Sequence, residues 1–310
     1  MKYSAMFHHF HDNNKYLKVQ GGGSISLDDF NLIIDYLNEN FNLLTPDEYM
    51  QKIEYKNLQE TDVCLTFDDA LKCQFDIIYP ELEKRKLKAF FFVYSAAFSD
   101  NPPPLEFFRD FRLNFFQDVD EYYDLFFNTV KLKHGGKYDL FLKNYPTDFL
   151  SAFPFYTEND KKYRFIRDKI LNEQYFDLVF TMMKEKKYSP SKRKEKLFMS
   201  VNDIETLHDN GHTIGLHSHS HPTQIHNLNY ESQLEEYTKN YEFISSITKE
   251  KVNVMSHPCG NYNDDTLKIL KSLGVKFGFR SSLTPSNIKS SLEIPREDHA
   301  NIINKIKGKA

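Results

Sequence analysis

The sequence predicts an α/β fold in which strands and helices alternate. Three observations lead to this prediction. Short apolar runs of strand length recur, helical spacing of apolar residues separates them, and histidines, paired aspartates and a Pro/Gly turn directly follow the runs. In a barrel of this kind the carboxyl ends of all strands lie at one face, so these polar groups would meet there.

The first half of the chain supplies three predicted strands. Lys2 to Phe7 is expected to form a strand that ends at a pair of histidines. Asp62 to Asp69 (DVCLTFDD) ends in two aspartates, and helical spacing then leads to Leu87 to Tyr94 (LKAFFFVY). The nearly continuous apolar character of this last run is typical of a strand buried on both faces. Helices are predicted from Ser26, which can cap its helix, and from Thr45-Pro46.

Regular alternation returns at Leu197. A helix capped by Ser200 leads to the strand within GHTIGLHSHSH (211–221), and a second helix leads to the strand Val252 to Met255. A helix capped by Asn263 precedes a further strand, and the tail after Arg296 has a weaker pattern. The second helix is expected to bury Leu234, Tyr237, Tyr241 and Ile244, and the further strand is predicted at Val275 to Phe279.

Residues 99–196 are predicted to form a helical insertion, which leaves 1–98 and 197–310 as the α/β domain. The run of three prolines at 102–104 marks the change, and about a hundred residues are too many for a plain loop in a compact domain. Phe107, Phe111 and Phe115 recur at helical spacing. We interpret this stripe as the core of the insertion, with a grip on a sugar or a partner as the alternative.

Composition excludes several classes of protein. The 40 basic and 44 acidic residues give a net charge of −4, which provides no basic field for nucleic acid. No run approaches the roughly 20 apolar residues of a transmembrane segment, and the first residues lack a signal-peptide core, so a cytoplasmic location is expected. Cys64, Cys73 and Cys259 show no CxxC spacing and are expected to be buried thiols. The oligomeric state stays open.

The histidine-rich stretch predicts part of a metal site. His217 and His221 are four positions apart and could converge on one metal, but a catalytic zinc-type site usually needs a third protein ligand. Asp68 and Asp69 also follow a predicted strand, as does the turn 256–260. Each has an alternative explanation, because aspartates cap helices, and histidines and Pro-x-Gly occur in turns. Their common position after strands favours a metal site.

These motifs resemble those of the NodB-like polysaccharide deacetylases, carbohydrate esterase family 4. The resemblance rests on TFDD (66–69) and HSHSH (217–221), with AMFHHF, LKAFFFV and NDIETLHDNGHTIGLHSHSHPT beside them. It covers about 1–98 and 197–298. It implies a distorted (β/α) barrel of the NodB-homology type with a large helical insertion.

The resemblance also implies roles for individual residues. Asp69, His217 and His221 would hold a divalent metal, most often zinc in this family. Asp68 would be the general base that takes a proton from the attacking water, and the backbone amide of Cys259 would help to stabilise the oxyanion. Ser218 would support the loop between the two ligands, and His219 would support it or face solvent.

Two departures from the family pattern affect these roles. The third motif, RxP[FY]G in the family, reads SHPCG here, so we hypothesise that Arg296 supplies the charge that orients Asp68. The late Leu-x-His motif is also unclear, which leaves His299, His8 and His9 as candidates for the general acid. His8, His9, Pro258 and Tyr262 are further expected to contact the substrate.

The sequence therefore predicts a metal-dependent hydrolase that removes the N-acetyl group of an amino sugar in a glycan or glycan precursor. One alternative keeps the fold and the metal but acts on another small amide or formamide. The other alternative is a catalytically weak sugar-binding pseudoenzyme, which the missing arginine and the unclear acid would favour.

Overall fold

The computed structural model describes residues 4–13, 23–146, 148–150, 157–172, 174–281 and 290–308. The chain divides into two compact units, one made of Met1–Pro103 with Glu195–Ala310 and the other of Pro104–Lys194. Whether the insertion predicted at 99–196 folds as a domain of its own stays a prediction.

The first unit is built on a closed parallel barrel of seven strands. The strands of the chain are β1 (Ser4–Phe7), β2 (His9–His11), β3 (Ser24–Ser26), β4 (Asn42–Leu43), β5 (Asp62–Asp68), β6 (Phe90–Val93), β7 (Thr213–Leu216), β8 (Val254–Ser256), β9 (Phe277–Ser281) and β10 (Ile294–Asp298). Strand order around the barrel is β1-β10-β9-β8-β7-β6-β5, and β5 pairs with β1 to close it. Strand β4 extends the sheet beside the start of β5, and β2 pairs with β3 alone. The predicted α/β barrel is confirmed.

Helices lie between the strands along the chain. They are α1 (Leu27–Asn40), α2 (Pro46–Glu54), α3 (Tyr79–Arg85), α4 (Leu105–Asp110), α5 (Val119–His134), α6 (Gly136–Lys143), α7 (Glu158–Phe165), α8 (Gln174–Glu185), α9 (Lys194–Leu197), α10 (Val201–Asp209), α11 (Tyr230–Thr248), α12 (Asp264–Ser272) and α13 (His299–Ile306). The predicted caps are present: Ser26 accepts from the amide of Asp29, and Ser200 and Asn263 form capping boxes. Thr45 forms a further capping box at the start of α2. No helix within the described residues is long and apolar enough to cross a membrane.

Aromatic side chains pack against one another along strands β1, β5 and β6. Every residue of β5 and of β6 is buried, as expected for strands covered on both faces. Phe67 stacks on Phe91 with ring centroids 4.8 Å apart, and Phe7 packs 5.3 Å from both Phe67 and Phe30. Aromatic pairs at these separations add to the stability that apolar burial provides.

Three features correct the expectations from sequence. The tail forms strand β10 and helix α13, although its pattern is weak and β10 contains Pro295 and Arg296. Cys259 is exposed, whereas Cys64 and Cys73 are buried as expected. On α11 three polar residues are buried in addition to the predicted Tyr237 and Ile244, and Leu234 and Tyr241 are only partly buried. The three polar residues are Gln233, Asn240 and Thr248.

The second unit has an aromatic interior of its own. Phe107 and Phe111 are buried while Phe115 is 43% exposed, which supports a core role for two residues of the predicted stripe. Asp110 accepts two hydrogen bonds of 2.7 Å from Arg193 and so links the first helix of this unit to its end.

Candidate active site

Polar side chains gather at the carboxyl edge of the barrel. Because the barrel strands are parallel, their carboxyl ends share this edge. The groups that lie there are His8 after β1, Asp68 and Asp69 at the end of β5, His217 and His221 after β7, and Ser256 to Tyr262 at and after β8.

Asp69, His217 and His221 form a group that could hold a metal ion. One ligand atom from each residue lies within 4.8 Å of the other two. Oδ1 of Asp69 is 3.3 Å from Nε2 of His217 and 3.4 Å from Nε2 of His221. The structure thus brings together the three residues that were predicted as ligands from positions almost 150 apart in the chain.

The backbone around these residues adopts uncommon conformations. Asp69 has φ 81° and donates its amide to the carbonyl of Phe92, which turns the chain at the end of β5. Ser218 and His221 also have positive φ, 62° and 54°, in the left-handed region that non-glycine residues seldom occupy. The hydroxyl of Ser218 accepts the amide of His221 at 3.1 Å, so Ser218 supports the loop as expected.

Hydrogen bonding orients the ring of His217. Its Nδ1 lies 2.8 Å from the carbonyl oxygen of Ser256, an acceptor, so Nδ1 carries the proton. Nε2 is therefore the ring nitrogen that lies towards Asp69 and that could bind a metal. A backbone carbonyl on the far side of a histidine ring is a common way to fix the tautomer that binds a metal.

Electrostatics keep the carboxylate of this group ionised. Burial would raise the pKa of Asp69, but the charges of His221, His8 and His217 outweigh it and hold the pKa well below its usual range. Burial lowers the pKa of His221. Burial would also lower the pKa of His217, but Asp68 and Asp69 together raise it. The group thus pairs an ionised carboxylate with two imidazoles.

These residues fit a divalent metal. Oδ1 of Asp69 is buried and forms no hydrogen bond with any residue that the structure describes, which would cost free energy unless another group satisfies it. One carboxylate oxygen and two imidazole nitrogens are a donor set that zinc takes at catalytic sites, where the remaining position stays open.

Asp68 lies beside this group and is held by Arg296. Nη1 and Nη2 of Arg296 each donate to one carboxylate oxygen of Asp68 at 2.7 Å, and Nη2 also donates to Oγ of Ser256 at 2.8 Å. The hydroxyl of Ser256 in turn donates to Oδ2 of Asp68 at 3.3 Å. Oδ2 of Asp68 is 3.9 Å from Nε2 of His217. Asp68 therefore has a fixed position next to the metal-binding group.

The charge of Arg296 decides the ionisation of Asp68. Burial would raise the pKa of this carboxyl, and the neighbouring Arg296 is the largest effect that lowers it, followed by His217. The net shift is downward, so Asp68 is a carboxylate at neutral pH. The arginine hypothesised from the sequence does contact Asp68, and its functional role stays a prediction.

The turn after β8 carries the other third-motif residues. Pro258 is buried, and Cys259 is in the left-handed region with φ 52° and ψ 17°. None of the described residues accepts a hydrogen bond from the amide of Cys259. The ring of Tyr262 stacks on His257 at 4.3 Å, and its hydroxyl donates to Glu293.

The three candidate general acids differ in position. Nε2 of His8 lies 3.8 Å from Oδ2 of Asp68, and 30% of its side chain is exposed. His299 is the first residue of α13, is buried, and has its ring 6.1 Å from that of Phe7. Burial lowers the pKa of His299. His9 begins β2. Among these three, His8 has a ring nitrogen within 4 Å of Asp68 and a side chain that is partly exposed.

Three residues near the site carry no predicted role. Ser256 bridges Asp68 and Arg296, and Glu236 and Asn240 on α11 hold the loop that bears the two histidines. A signal was available for Asn240, which lies three positions after Tyr237 and four before Ile244, on the helix face that carries these two apolar residues. No such pattern marks Ser256.

The structure thus combines a closed parallel barrel with an Asp/His/His group at its carboxyl edge. The family profile described as polysaccharide deacetylase matches residues 169–278, which include both histidines and the turn after β8 but not Asp68 and Asp69. The predicted resemblance to the NodB-like polysaccharide deacetylases is thereby confirmed. A comparison with curated protein sequences gives no significant match.

Solved structures of deacetylases share the fold. IcaB from Ammonifex degensii is 14% identical with a TM-score of 0.58, and the match covers 99% of this chain and 95% of that one. The deacetylase PplD from Streptococcus pyogenes, in complex with acetate, is 14% identical with a TM-score of 0.57 over 96% and 91%. A de-N-acetylase from Aggregatibacter actinomycetemcomitans is 14% identical with a TM-score of 0.56 over 99% of each chain. At this identity the similarity establishes the fold.

Proposed function

We propose that this protein is a metal-dependent deacetylase that hydrolyses the N-acetyl group of an amino sugar in a glycan or a glycan precursor. The observation that carries the proposal is the position of Asp68, ionised and held by Arg296, with an oxygen 3.9 Å from a nitrogen of the Asp69, His217 and His221 group. The family match and the fold of the deacetylase structures support it.

Asp69, His217 and His221 would hold the metal, and zinc suits this set of donors best. A bound divalent ion polarises a carbonyl group and makes water a better nucleophile at neutral pH. The carbonyl of Ser256 orients the ring of His217, and the hydrogen bond from the amide of Asp69 to the carbonyl of Phe92 fixes the turn that carries the carboxylate.

Asp68 would act as the general base. It takes a proton from the water whose oxygen attacks the amide carbon, and the C–N bond then breaks to give acetate and an amine that gains a proton. Arg296 holds the carboxylate still and ionised between turnovers. Ser256 adds a third contact, so Asp68 cannot rotate away from the attacking water.

The amide of Cys259 and the ring of His8 are the groups proposed to act on the carbonyl oxygen and the leaving nitrogen. The amide of Cys259 is a suitable donor for the oxyanion, because no described residue uses it. His8 is the best placed proton donor for the leaving amine, since its Nε2 is near Asp68 and its side chain reaches solvent. Tyr262 and Pro258 shape the turn that would contact the sugar.

Acetate release tests the proposal. The protein is stripped of metal, reloaded with zinc, and incubated with N-acetylated amino-sugar oligomers of different linkage and with other small amides and formamides. Release of acetate from an N-acetylated amino sugar only when zinc is bound supports the proposal. Turnover of another amide alone favours the broader amide hydrolase. Zinc binding without turnover of any amide favours the sugar-binding pseudoenzyme.

Two variants locate the chemistry in this site. Asp68→Asn is expected to abolish acetate release and to leave zinc binding intact, whereas His217→Ala is expected to weaken both. Asp35→Asn serves as the control, because Asp35 is a carboxylate on α1 that pairs with Arg85. Equal zinc binding by the wild type and His217→Ala would refute the metal site.

A further inference from the structure

Helix α11 contributes two polar side chains to the loop that carries the histidines. Glu236 and Asn240 lie four positions apart and therefore on the same face of the helix. Asn240 is buried and Glu236 is partly buried, although both belong to polar residue types that are usually exposed. Burial of polar groups in this place needs hydrogen-bond partners to offset its cost.

Glu236 is bonded to the segment between the two histidine ligands. Its Oε2 accepts the amides of His219 at 3.0 Å and of Ser220 at 2.8 Å, and its Oε1 accepts the hydroxyl of Ser220 at 2.7 Å. Backbone amides bonded to one carboxylate cannot move independently of it. Glu236 thus fixes both residues that precede His221.

Asn240 is bonded to the first ligand itself. Its Oδ1 accepts the amide of His217 at 2.8 Å, and its Nδ2 donates to the carbonyl of Val93 at 2.9 Å. Val93 ends β6, and His217 follows the end of β7. Asn240 therefore joins the ends of two neighbouring strands at the point where the metal-binding group begins.

The loop has a conformation that needs such support. Ser218 and His221 both have positive φ, and this backbone strain persists only where surrounding contacts outweigh it. The side chain of Ser95 contacts Nδ1 of His219 at 2.8 Å, and the carbonyl of His219 accepts the amide of Ala96 at 2.8 Å. The loop is therefore held from α11 on one side and from the segment after β6 on the other.

We propose that Glu236 and Asn240 are positioning residues that set metal affinity by fixing the distance between His217 and His221. The inference rests on the proposed function, because it assumes that these histidines bind a metal. It goes further by assigning the strength of binding to helix α11, whose side chains bond the backbone of the loop and not the ligand atoms. Residues that orient metal ligands typically change affinity about 10-fold to 100-fold when they are removed.

Glu236 offers a graded test with a matched control. Glu236→Ala removes three hydrogen bonds and is expected to weaken zinc binding about 10-fold to 100-fold. Glu236→Gln is expected to restore most of the affinity, since its amide oxygen can accept both backbone amides and its NH2 can donate to Ser220. Glu235→Ala is the control, because Glu235 is the exposed neighbour that pairs with Lys239.

The readout is zinc affinity by competition with a chromophoric chelator, together with the absorption spectrum of the cobalt-loaded proteins. Circular dichroism of the metal-free forms checks the fold. A changed cobalt spectrum and weakened zinc binding in Glu236→Ala, with recovery in Glu236→Gln, is the expected result. If Glu236→Ala fails to fold, Ser220→Ala removes only the hydroxyl contact and is expected to weaken zinc binding several-fold.

The outcomes separate this inference from the proposed function. If wild type binds zinc and His217→Ala does not, but Glu236→Ala or Ser220→Ala binds as tightly as Glu235→Ala, the positioning role is wrong and the metal site stands. If the wild type binds no zinc, the metal site and the positioning role both fail.

Discussion

The guanidinium of Arg296 and the carboxylate of Asp68 face each other across the inside of the barrel, with two N···O distances of 2.7 Å. They lie on β10 and β5, which are separated by β1, so the contact crosses the interior of the barrel. Both side chains are almost completely buried. A buried bidentate ion pair of this kind fixes the position of the carboxylate as well as its charge.

Replacement of Arg296 should change the pH dependence of the reaction. In Arg296→Met the largest effect that opposes burial is lost, so the pKa of Asp68 rises and the acid limb of kcat/KM moves to higher pH. In the wild type, the lowered pKa of Asp68 contributes stability above its unfolded value of about 3.9, and that contribution is lost as the pH falls. Loss of one buried partner should therefore cost about 3–5 kcal/mol of unfolding free energy at neutral pH.

Arg296→Lys is the matched variant for this prediction. Lysine keeps the positive charge but cannot donate to both carboxylate oxygens in the bidentate manner of arginine. An intermediate shift of the acid limb is therefore expected. Kinetics across pH and denaturant unfolding of all three proteins check both quantities. An acid limb that does not move in Arg296→Met contradicts the assignment of Asp68 as the base.

Ser256→Ala should separate turnover from metal binding. The substitution removes the hydroxyl that contacts Arg296 and Asp68 but leaves the backbone carbonyl that holds His217. A hydrogen bond to a charged group contributes about 1.5–3 kcal/mol, so kcat is expected to fall by at least roughly tenfold. Zinc affinity should stay within about twofold, since the ligand contact remains. Equal losses in both measurements would show that Ser256 acts mainly on the metal group.

The sequence was sufficient for those parts of the fold that depend on local pattern. Helix caps at Ser26, Ser200 and Asn263 depend on side-chain contacts within three residues, and the structure has all three. The apolar runs of β5 and β6 could also be recognised, because their pattern lies within a few consecutive residues. Motif residues such as Asp69 and His217 could be placed together because parallel strands share a carboxyl edge.

Strand β10 could not be predicted from the local sequence pattern. It contains a proline and three charged residues, and its pattern alone does not indicate burial. Arg296 is buried there because Asp68, 228 positions earlier, compensates its charge. The helix α13 that follows had a usable signal, since Asp298 caps it and Ile302, Ile303 and Ile306 recur at helical spacing.

Gly260→Ala should disturb the turn that presents the amide of Cys259. A Cβ at Gly260 would lie 2.5 Å from both the carbonyl oxygen and the hydroxyl of Ser281, and φ at this position is +69°. The backbone of the turn must shift, so kcat should fall while zinc affinity changes little. Acetate release and chelator competition measure the two effects.

Gly274→Ala controls for the conformational cost alone. Its φ is +81°, but apart from its chain neighbours no atom of the described residues lies within 4 Å of the added Cβ. It is expected to lose about 1 kcal/mol of unfolding free energy without a change in kcat. Equal kcat values for the two variants would contradict a role for the turn in catalysis.

His212 should make the barrel less stable as the pH falls from about 6.5 to about 4. The ring is buried, its Nδ1 accepts the amide of Ala89, and its Nε2 lies 3.3 Å from Glu83. Burial, together with the charge of Lys88, lowers the pKa of His212 to about 4, and Glu83 opposes this shift only in part. Between the two values the unfolded chain takes up a proton that the folded chain does not, so the unfolding free energy decreases by about 3 kcal/mol.

His212→Gln removes this proton uptake. The variant is expected to be less stable at neutral pH, but its unfolding free energy should fall less steeply than that of the wild type between pH 6.5 and 4. Urea unfolding at a series of pH values measures the slope, and His134→Gln, which removes an imidazole from the other compact unit, provides the reference. The prediction is wrong if the slopes of wild type and His212→Gln coincide, because a buried neutral histidine must contribute to the linkage between folding and protonation.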